Sequence, residues 1–158
     1  MLAAGRVILQ IRTQGTRHET KADGSPVTEA DQRAEAILLA ALRQAAPDLP
    51  VIAEEEAATG RLPDTGKAFF LVDPLDGTKE FIRGGTDFTV NIGLVRSNRP
   101  VFGMIYTPAR GRFHEGETGL GAWMADIDCQ SRPVFGEAHR TPVQVRQPDP
   151  QSLTAVAS

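Results

Sequence analysis

The spacing of apolar residues predicts two helices in the first third of the chain. Residues 1–13 are apolar enough for a helix, and residues 28–46 place their apolar side chains along one stripe at the helical period. The intervening residues 14–26 are polar and contain glycine and proline, which is typical of a loop. Pro47 predicts the end of the second helix, because proline lacks the backbone donor that a helix interior needs.

Beyond Pro47 the pattern changes to short apolar or alternating runs, which predict strands. The predicted strands cover residues 51–53, 68–72, 88–95, 101–106, 111–115 and 121–124. Residues 98–100, Asn-Arg-Pro, separate two alternating runs and predict a hairpin turn. Helices followed by an antiparallel meander indicate an α+β fold, with N-terminal helices packed on a mostly antiparallel sheet.

One predicted strand leads into a pair of closely spaced aspartates. The apolar run 68–72 is followed by Asp73 and Pro74, and the proline predicts that the chain leaves the sheet there. Asp73 and Asp76 are three residues apart, so their carboxylates can converge on one point if the chain turns tightly. Carboxylate oxygens are ligands for hard divalent cations such as Mg²⁺.

The same segment continues into a predicted helix. Gly77 permits the backbone geometry of a tight turn, and residues 78–82 can begin a helix. A helix N-terminus beside two hard oxygen donors suits a cation and a phosphate together. Asp-Pro and Asp-Gly dipeptides alone would more often mark surface turns. The strand before them and the helix after them favour the site.

Two other acidic segments are candidates for the same site. Glutamates at 54–56 directly follow the strand 51–53, where a carboxylate could meet Asp73, although three consecutive glutamates are more often a solvated loop. Thr28 and Asp31 have the spacing of a capping box, and that structural role alone could explain both residues.

Composition narrows the class of protein. The net charge is −3 with Lys and Arg scattered singly, which argues against a nucleic-acid polymer as partner. No apolar stretch reaches the roughly 20 residues of a transmembrane helix, and the first residues lack the pattern of a signal peptide. Cys129 is the single cysteine, which excludes an internal disulfide and indicates the cytoplasm. The histidines share no ligand spacing, so oxygen ligands are expected for any metal.

Residues 73–78, Asp-Pro-Leu-Asp-Gly-Thr, resemble the D-P-[IL]-D-G-T signature of the inositol monophosphatase superfamily. Its members are metal-dependent, lithium-sensitive sugar and nucleotide phosphatases. The continuation Lys-Glu-Phe-Ile at 79–82 is similar to the CysQ branch, the 3'(2'),5'-bisphosphate nucleotidases, whereas typical inositol monophosphatases carry Thr-Asn-Phe. The glutamate pair and the segment 25–31 also resemble family motifs. The resemblance implies a sugar-phosphatase-like layered fold.

The resemblance also implies a cofactor, a reaction and a set of site residues. Two or three Mg²⁺ ions would activate a water that hydrolyses the 3'-phosphate of 3'-phosphoadenosine 5'-phosphate, a small phosphate ester, to AMP and phosphate. An inositol or sugar phosphatase with the same metal site is the alternative. The implied metal ligands are the side chains of Glu54, Asp73 and Asp76 and the carbonyl oxygen of Leu75.

The remaining site residues have roles in catalysis, phosphate binding or support. Thr78 would work with Glu54 to orient the attacking water, and Asp31 would help hold a weakly bound metal. The phosphate would be bound by Asp76, Gly77 and Thr78. Glu55 would support the metal site. Lys21, with Ser25, would lie in a loop that closes over the metals, although Lys21 could equally be a solvated surface charge.

The chain also departs from the family pattern. Family members commonly carry a second α/β half with a Trp-Asp motif, and Trp123 and Asp126 do not match it because they are not adjacent. We therefore interpret residues 1–158 as the N-terminal portion, with 153–158 as a strand entering the second half. Such a piece would expose apolar surface, and either a homodimer or pairing with the missing half would cover it. A non-catalytic metal-binding fragment is then an alternative function. The family also allows peripheral association with the inner membrane.

Overall fold

Two long helices pack against one face of a sheet. The computed structural model describes residues 1–15, 18–21, 24, 26–130 and 140–145. Its helices are α1 (Leu2–Gln14), α2 (Glu29–Ala45), α3 (Glu54–Ala58) and α4 (Thr78–Ile82), with a 3₁₀ turn at Pro108–Arg110. Its strands are β1 (His18–Thr20), β2 (Pro26–Thr28), β3 (Val51–Ala53), β4 (Ala68–Asp76), β5 (Thr89–Arg96), β6 (Arg99–Thr107), β7 (Arg112–Glu117), β8 (Gly121–Asp126) and β9 (Thr141–Val143).

Within these ranges the main sheet has seven strands, in the order β3-β4-β5-β6-β7-β8-β9. The first pair, β3 and β4, is parallel, and every following pair is antiparallel. Strands β1 and β2 form a separate antiparallel pair. The α+β prediction, with N-terminal helices on a mostly antiparallel sheet, is confirmed. In the described part, no helix combines the length and the apolar character that crossing a membrane would require.

The core lies between the two long helices and the sheet. The buried residues of α1 and α2 recur at helical spacing, and they pack against alternate residues of the central strands such as Val72, Val90 and Tyr106. Gly5 of α1 lies directly against the ring of Tyr106 on β6. A Cβ at this position would lie 2.6 Å from the Tyr106 ring, so a larger residue would push the helix off the sheet.

The prediction that the chain leaves the sheet at Pro74 is wrong. Strand β4 continues to Asp76, which pairs with Thr89, and the β4–β5 register shifts between Asp73 and Asp76. The irregularity explains how the sheet accommodates a residue with no backbone donor. Within it, the backbone N–H of Leu75 donates to Asp73 Oδ1 at 3.2 Å.

Two turn predictions also need correction. Segment 14–26, predicted as loop, contains β1 and the start of β2, and strands of three residues are too short to leave a periodic signal. The β5–β6 turn is formed by Ser97 and Asn98, with φ of 50° and 61°, and not by residues 98–100. Positive φ at both positions is typical of a type I′ turn, whose twist matches the flanking strands. The strand predicted at 153–158 lies outside the described residues.

Candidate metal and phosphate site

Parallel pairing brings two acidic segments to the same edge of the sheet. Ala53 of β3 pairs with Val72 of β4, so the next residues, Glu54 and Asp73, follow strand positions that lie side by side. The sequence predicted this meeting from the position of each acid after its strand. In the structure, Glu54 and the following glutamates form the short helix α3 rather than a charged loop.

The Asp73 carboxyl group lies among other acids. Burial, followed by the negative charges of Glu54 and Asp76 and a hydrogen bond shared with Glu54, raises the pKa of Asp73 to about 7. The raised pKa of Asp73 therefore reflects its closeness to Glu54 and Asp76, which the sequence analysis expected. Such crowding of carboxylates is unfavourable without a cation. In the part of the chain that the structure describes, no three His, Cys, Asp or Glu side chains are arranged to hold a metal ion as they stand.

Lys21 contacts both members of the glutamate pair. Its Nζ lies 2.7 Å from Glu54 Oε1 and 2.8 Å from Glu55 Oε1, and its side chain is only 11% exposed. Burial lowers the pKa of Lys21, but hydrogen bonds and charge from the two glutamates outweigh this and raise it above its usual range. Burial likewise raises the pKa of Glu55, against the effect of Lys21. Lys21 is not a solvated surface charge; Ser25, predicted beside it, lies outside the described residues.

Asp31 caps α2 and also contacts Thr78 at the start of α4. Its Oδ2 accepts from Thr28 N at 2.7 Å and Thr28 Oγ1 at 2.6 Å, which confirms the predicted capping box at the start of α2. Its Oδ1 lies 3.1 Å from Thr78 Oγ1. The residue is 1% exposed, and burial raises its pKa against the effect of these hydrogen bonds. Capping therefore explains the contacts of Asp31 Oδ2 but not the contact of Oδ1 with Thr78.

Thr78 begins α4 directly beside the two aspartates. Its Oγ1 also lies 3.0 Å from the carbonyl oxygen of buried Leu75, and a hydroxyl has one proton, so it donates to Asp31 or to Leu75 at any moment. Gly77 precedes the helix with φ of 86°, and a Cβ there would lie 2.8 Å from the Asp87 carbonyl oxygen. The turn therefore requires glycine, as predicted.

Two polar residues near the site were missed by the sequence reasoning. Asn91 pairs with Asp73 across β4–β5, and its Nδ2 lies 3.5 Å from Asp76 Oδ2, while no described residue is a hydrogen-bond partner for its buried Oδ1. Nothing in its alternating strand distinguishes it. Glu35 is buried on α2, and its carboxylate accepts hydrogen bonds from the backbone N–H groups of Glu55 and Glu56. The sequence feature that could have identified Glu35 is its position: a charged residue four positions after Asp31, on the apolar stripe of α2.

Comparison with known proteins assigns this chain to a family. The model of the inositol monophosphatase family matches residues 1–155. The chain belongs to this family. Family membership and the sugar-phosphatase-like α+β fold, both expected from the Asp-Pro-Leu-Asp-Gly-Thr segment, are thus confirmed.

Relatives within the family include bacterial 3'(2'),5'-bisphosphate nucleotidases. The CysQ protein of Escherichia coli O6:H1 is 40% identical over 145 residues, which cover 90% of this chain and 58% of that protein. The CysQ protein of Shigella flexneri is 41% identical over 123 residues, covering 76% of this chain and 49% of that protein. The crystal structure of CysQ from Bacteroides thetaiotaomicron superposes with a TM-score of 0.69 at 30% identity, covering 94% of this chain and 56% of that one. This chain therefore spans about half the length of the curated relatives it matches.

Proposed function

We propose that this chain carries the metal-binding part of a Mg²⁺-dependent phosphomonoesterase that converts 3'-phosphoadenosine 5'-phosphate to AMP and phosphate. The observation that carries the proposal is the meeting of Glu54, Asp73 and Asp76 at one edge of the sheet, with the pKa of Asp73 raised to about 7 by burial and by its acidic neighbours. A bound cation would offset this repulsion. The substrate assignment is supported by the nucleotidase relatives and by the Lys-Glu-Phe-Ile continuation at 79–82.

The donor set suits magnesium. Mg²⁺ prefers hard oxygen ligands, and the candidate ligands are the carboxylates of Glu54, Asp73 and Asp76 with the carbonyl oxygen of Leu75. Two or three ions would bind there. When bound, Mg²⁺ lowers the pKa of a coordinated water and neutralises charge on the phosphoryl group. Lys21 supplies one positive charge to Glu54 and Glu55, which supports a cationic partner for the glutamate pair.

The chain's own residues would orient the reactants. The Thr78 hydroxyl donates to Asp31 or Leu75, so its lone pairs remain able to accept a hydrogen bond from water. Thr78 and Glu54 together would orient the attacking water. Asp31 would hold Thr78 in this orientation. The backbone N–H groups of Gly77 and Thr78 would donate to phosphate oxygens at the turn before α4.

The second half of the family fold would cover one face of the sheet. Leu71, Gly93, Gly103, Gly116 and Ala122 pair successively across five strands and form a row of mostly small residues on the face opposite the long helices. Among the described residues, no atom lies within 4 Å of a Cβ built on Gly93, and Leu71 and nearby Ile105 are 43% and 46% exposed. The second half of the family fold, or a second copy of this chain, would pack on this face. The single cysteine favours the cytoplasm as the location.

Two other functions are compatible with parts of the evidence. An inositol or sugar monophosphatase would use the same carboxylates and differ only in its substrate. The other is a non-catalytic metal-binding fragment; the chain spans about half the length of the curated relatives it matches.

Phosphate release in the presence and absence of Mg²⁺ separates these functions. The chain should release phosphate from 3'-phosphoadenosine 5'-phosphate in preference to inositol 1-phosphate, and Asp73→Ala should abolish the release. Preference for the inositol ester would overturn the substrate assignment but not the metal site. Release from neither ester, with Mg²⁺ still bound, would favour the non-catalytic fragment.

A further inference from the structure

Glu35 is a buried carboxylate outside the proposed ligand set. It lies on α2, one helical turn after Asp31, and is 4% exposed. Burial raises the pKa of Glu35, and the backbone hydrogen bonds from Glu55 and Glu56 oppose this rise. Among the described residues, none forms a salt bridge with it. A buried acid without a cationic partner requires hydrogen-bond donors in compensation.

Those donors come from the start of the helix that carries the glutamate pair. The backbone N–H of Glu55 donates to Glu35 Oε2 at 2.7 Å, and that of Glu56 donates to Glu35 Oε1 at 2.9 Å. The N-cap of α3 is Ala53, which has no side-chain acceptor for these groups. Glu35 therefore acts as a cap supplied from another helix, satisfying two N–H groups that the five-residue helix cannot satisfy itself.

We propose that Glu35 is a positioning residue, which fixes the backbone of the Glu54–Glu55 turn so that both carboxylates face the cation site and Lys21. The Glu35 carboxylate accepts two backbone hydrogen bonds, one at each oxygen, so it restrains the orientation of the turn as well as its distance from α2. Lys21 connects Glu54 and Glu55 through hydrogen bonds to their side chains. Glu55 is thus held through its backbone by Glu35 and through its side chain by Lys21, and Glu54 is held through its side chain by Lys21. This inference rests on the proposed function only where it concerns Mg²⁺.

The first test uses the wild-type 158-residue chain and needs no variant. Amide hydrogen exchange followed by NMR should show Glu55 and Glu56 protected relative to Lys79, which lies near the start of α4, a helix of equal length whose N-cap is glycine. Equal exchange rates at the three amides would overturn the proposal, because the bidentate contact would then not hold the turn.

The second test is Glu35→Gln, whose side chain keeps the shape but turns one acceptor into a donor. Exchange at Glu55 and Glu56 should accelerate by about tenfold or more. Affinity for Mg²⁺, measured by calorimetry on the folded variant, should fall by about 10- to 100-fold, the effect typical of residues that orient metal ligands. Glu29→Gln is the matched control, since Glu29 lies on the same helix, exposed and paired with Arg33, and should change neither quantity.

The outcomes separate this proposal from the proposed function. Released amides with unchanged Mg²⁺ affinity would overturn the positioning role, because a merely structural contact would behave in that way. If the wild-type chain bound no Mg²⁺, the proposed metal site would fail, and amide exchange alone would decide whether Glu35 holds the turn.

Discussion

Thr78 Oγ1 lies 3.1 Å from Asp31 Oδ1, although 47 positions separate the two residues. The contact connects the capped start of α2 to Thr78, the first residue of α4, which follows β4 after the single residue Gly77. Because the other oxygen of Asp31 is engaged by Thr28, the carboxylate that stabilises the helix also orients the hydroxyl. Asp31 therefore connects the stability of α2 to the geometry of the candidate site.

We expect Thr78→Val to impair catalysis more than folding. Valine keeps the shape of threonine but removes the hydroxyl that would orient water, and misplaced reactants typically reduce rates by about 10²-fold. The kcat for phosphate release and the midpoint of urea unfolding would be measured together. Thr13→Val, which removes an exposed threonine hydroxyl on α1, is the control. Unchanged kcat in Thr78→Val would exclude the hydroxyl from the reaction.

Replacing Lys21 by glutamine should strengthen Mg²⁺ binding, by about fivefold if the ion pair contributes as much as a typical favourable one. The Lys21 ammonium group contacts both Glu54 and Glu55, so it competes with any cation for Glu54. Calorimetric titration with Mg²⁺ would measure the change, with Arg33→Gln as the control for an ion pair elsewhere on the surface. Weaker binding in Lys21→Gln would mean that Lys21 organises the pair for metal instead of competing with it.

The metal-free chain should lose stability as the pH rises from about 4 to about 7. The pKa of Asp73 is raised from 3.8 to about 7, so in this window the folded chain binds a proton that the unfolded chain has released. Each increment of pH then favours the unfolded state. The pKa values of Asp31, Glu35 and Glu55 are raised in the same direction, mainly by burial.

Urea unfolding in the presence of a chelator, repeated across this pH window, would measure the effect. Asp73→Asn should flatten the dependence of the unfolding free energy on pH, whereas Asp48→Asn, at an exposed position, should not. Stability that rises with pH in the wild-type chain would contradict the assigned environment of Asp73.

The chain by itself should associate through the exposed sheet face. Ile105 lies on that face, and Ile105→Ser should shift sedimentation toward the monomer. Leu62→Ser, at a residue that is also exposed but lies in the loop after α3, is the matched control. A wild-type chain that remains monomeric at all concentrations would contradict self-association through this face.

The part of the site that follows from strand ends was predictable from sequence. Glu54 and Asp73 each come directly after a short apolar run, and the parallel pairing of those runs brings them together. The capping box at Thr28 was predictable for a similar reason, because it depends on residues only three positions apart.

Other features of the fold and of the site depend on contacts between residues far apart in sequence, and local patterns do not predict them. Pro74 predicts a strand end locally, but renewed pairing of Asp76 with Thr89 carries β4 past it. The sequence does not decide whether Lys21 is a solvated charge or part of the site, because its contacts with Glu54 and Glu55 bridge 33 and 34 positions. The hydrogen bonds of Glu35 to the backbone 20 and 21 positions away have no sequence signature beyond a charged residue on an apolar stripe.

The central claim is that Glu54, Asp73 and Asp76 together form a magnesium site. The most direct measurement is calorimetric titration of Mg²⁺ into the 158-residue chain at pH 8, compared with Asp73→Asn and with Asp48→Asn as control. We predict saturable binding to the wild-type and control chains that Asp73→Asn removes. Absence of binding to the wild-type chain, or equal binding to all three, would contradict the claim.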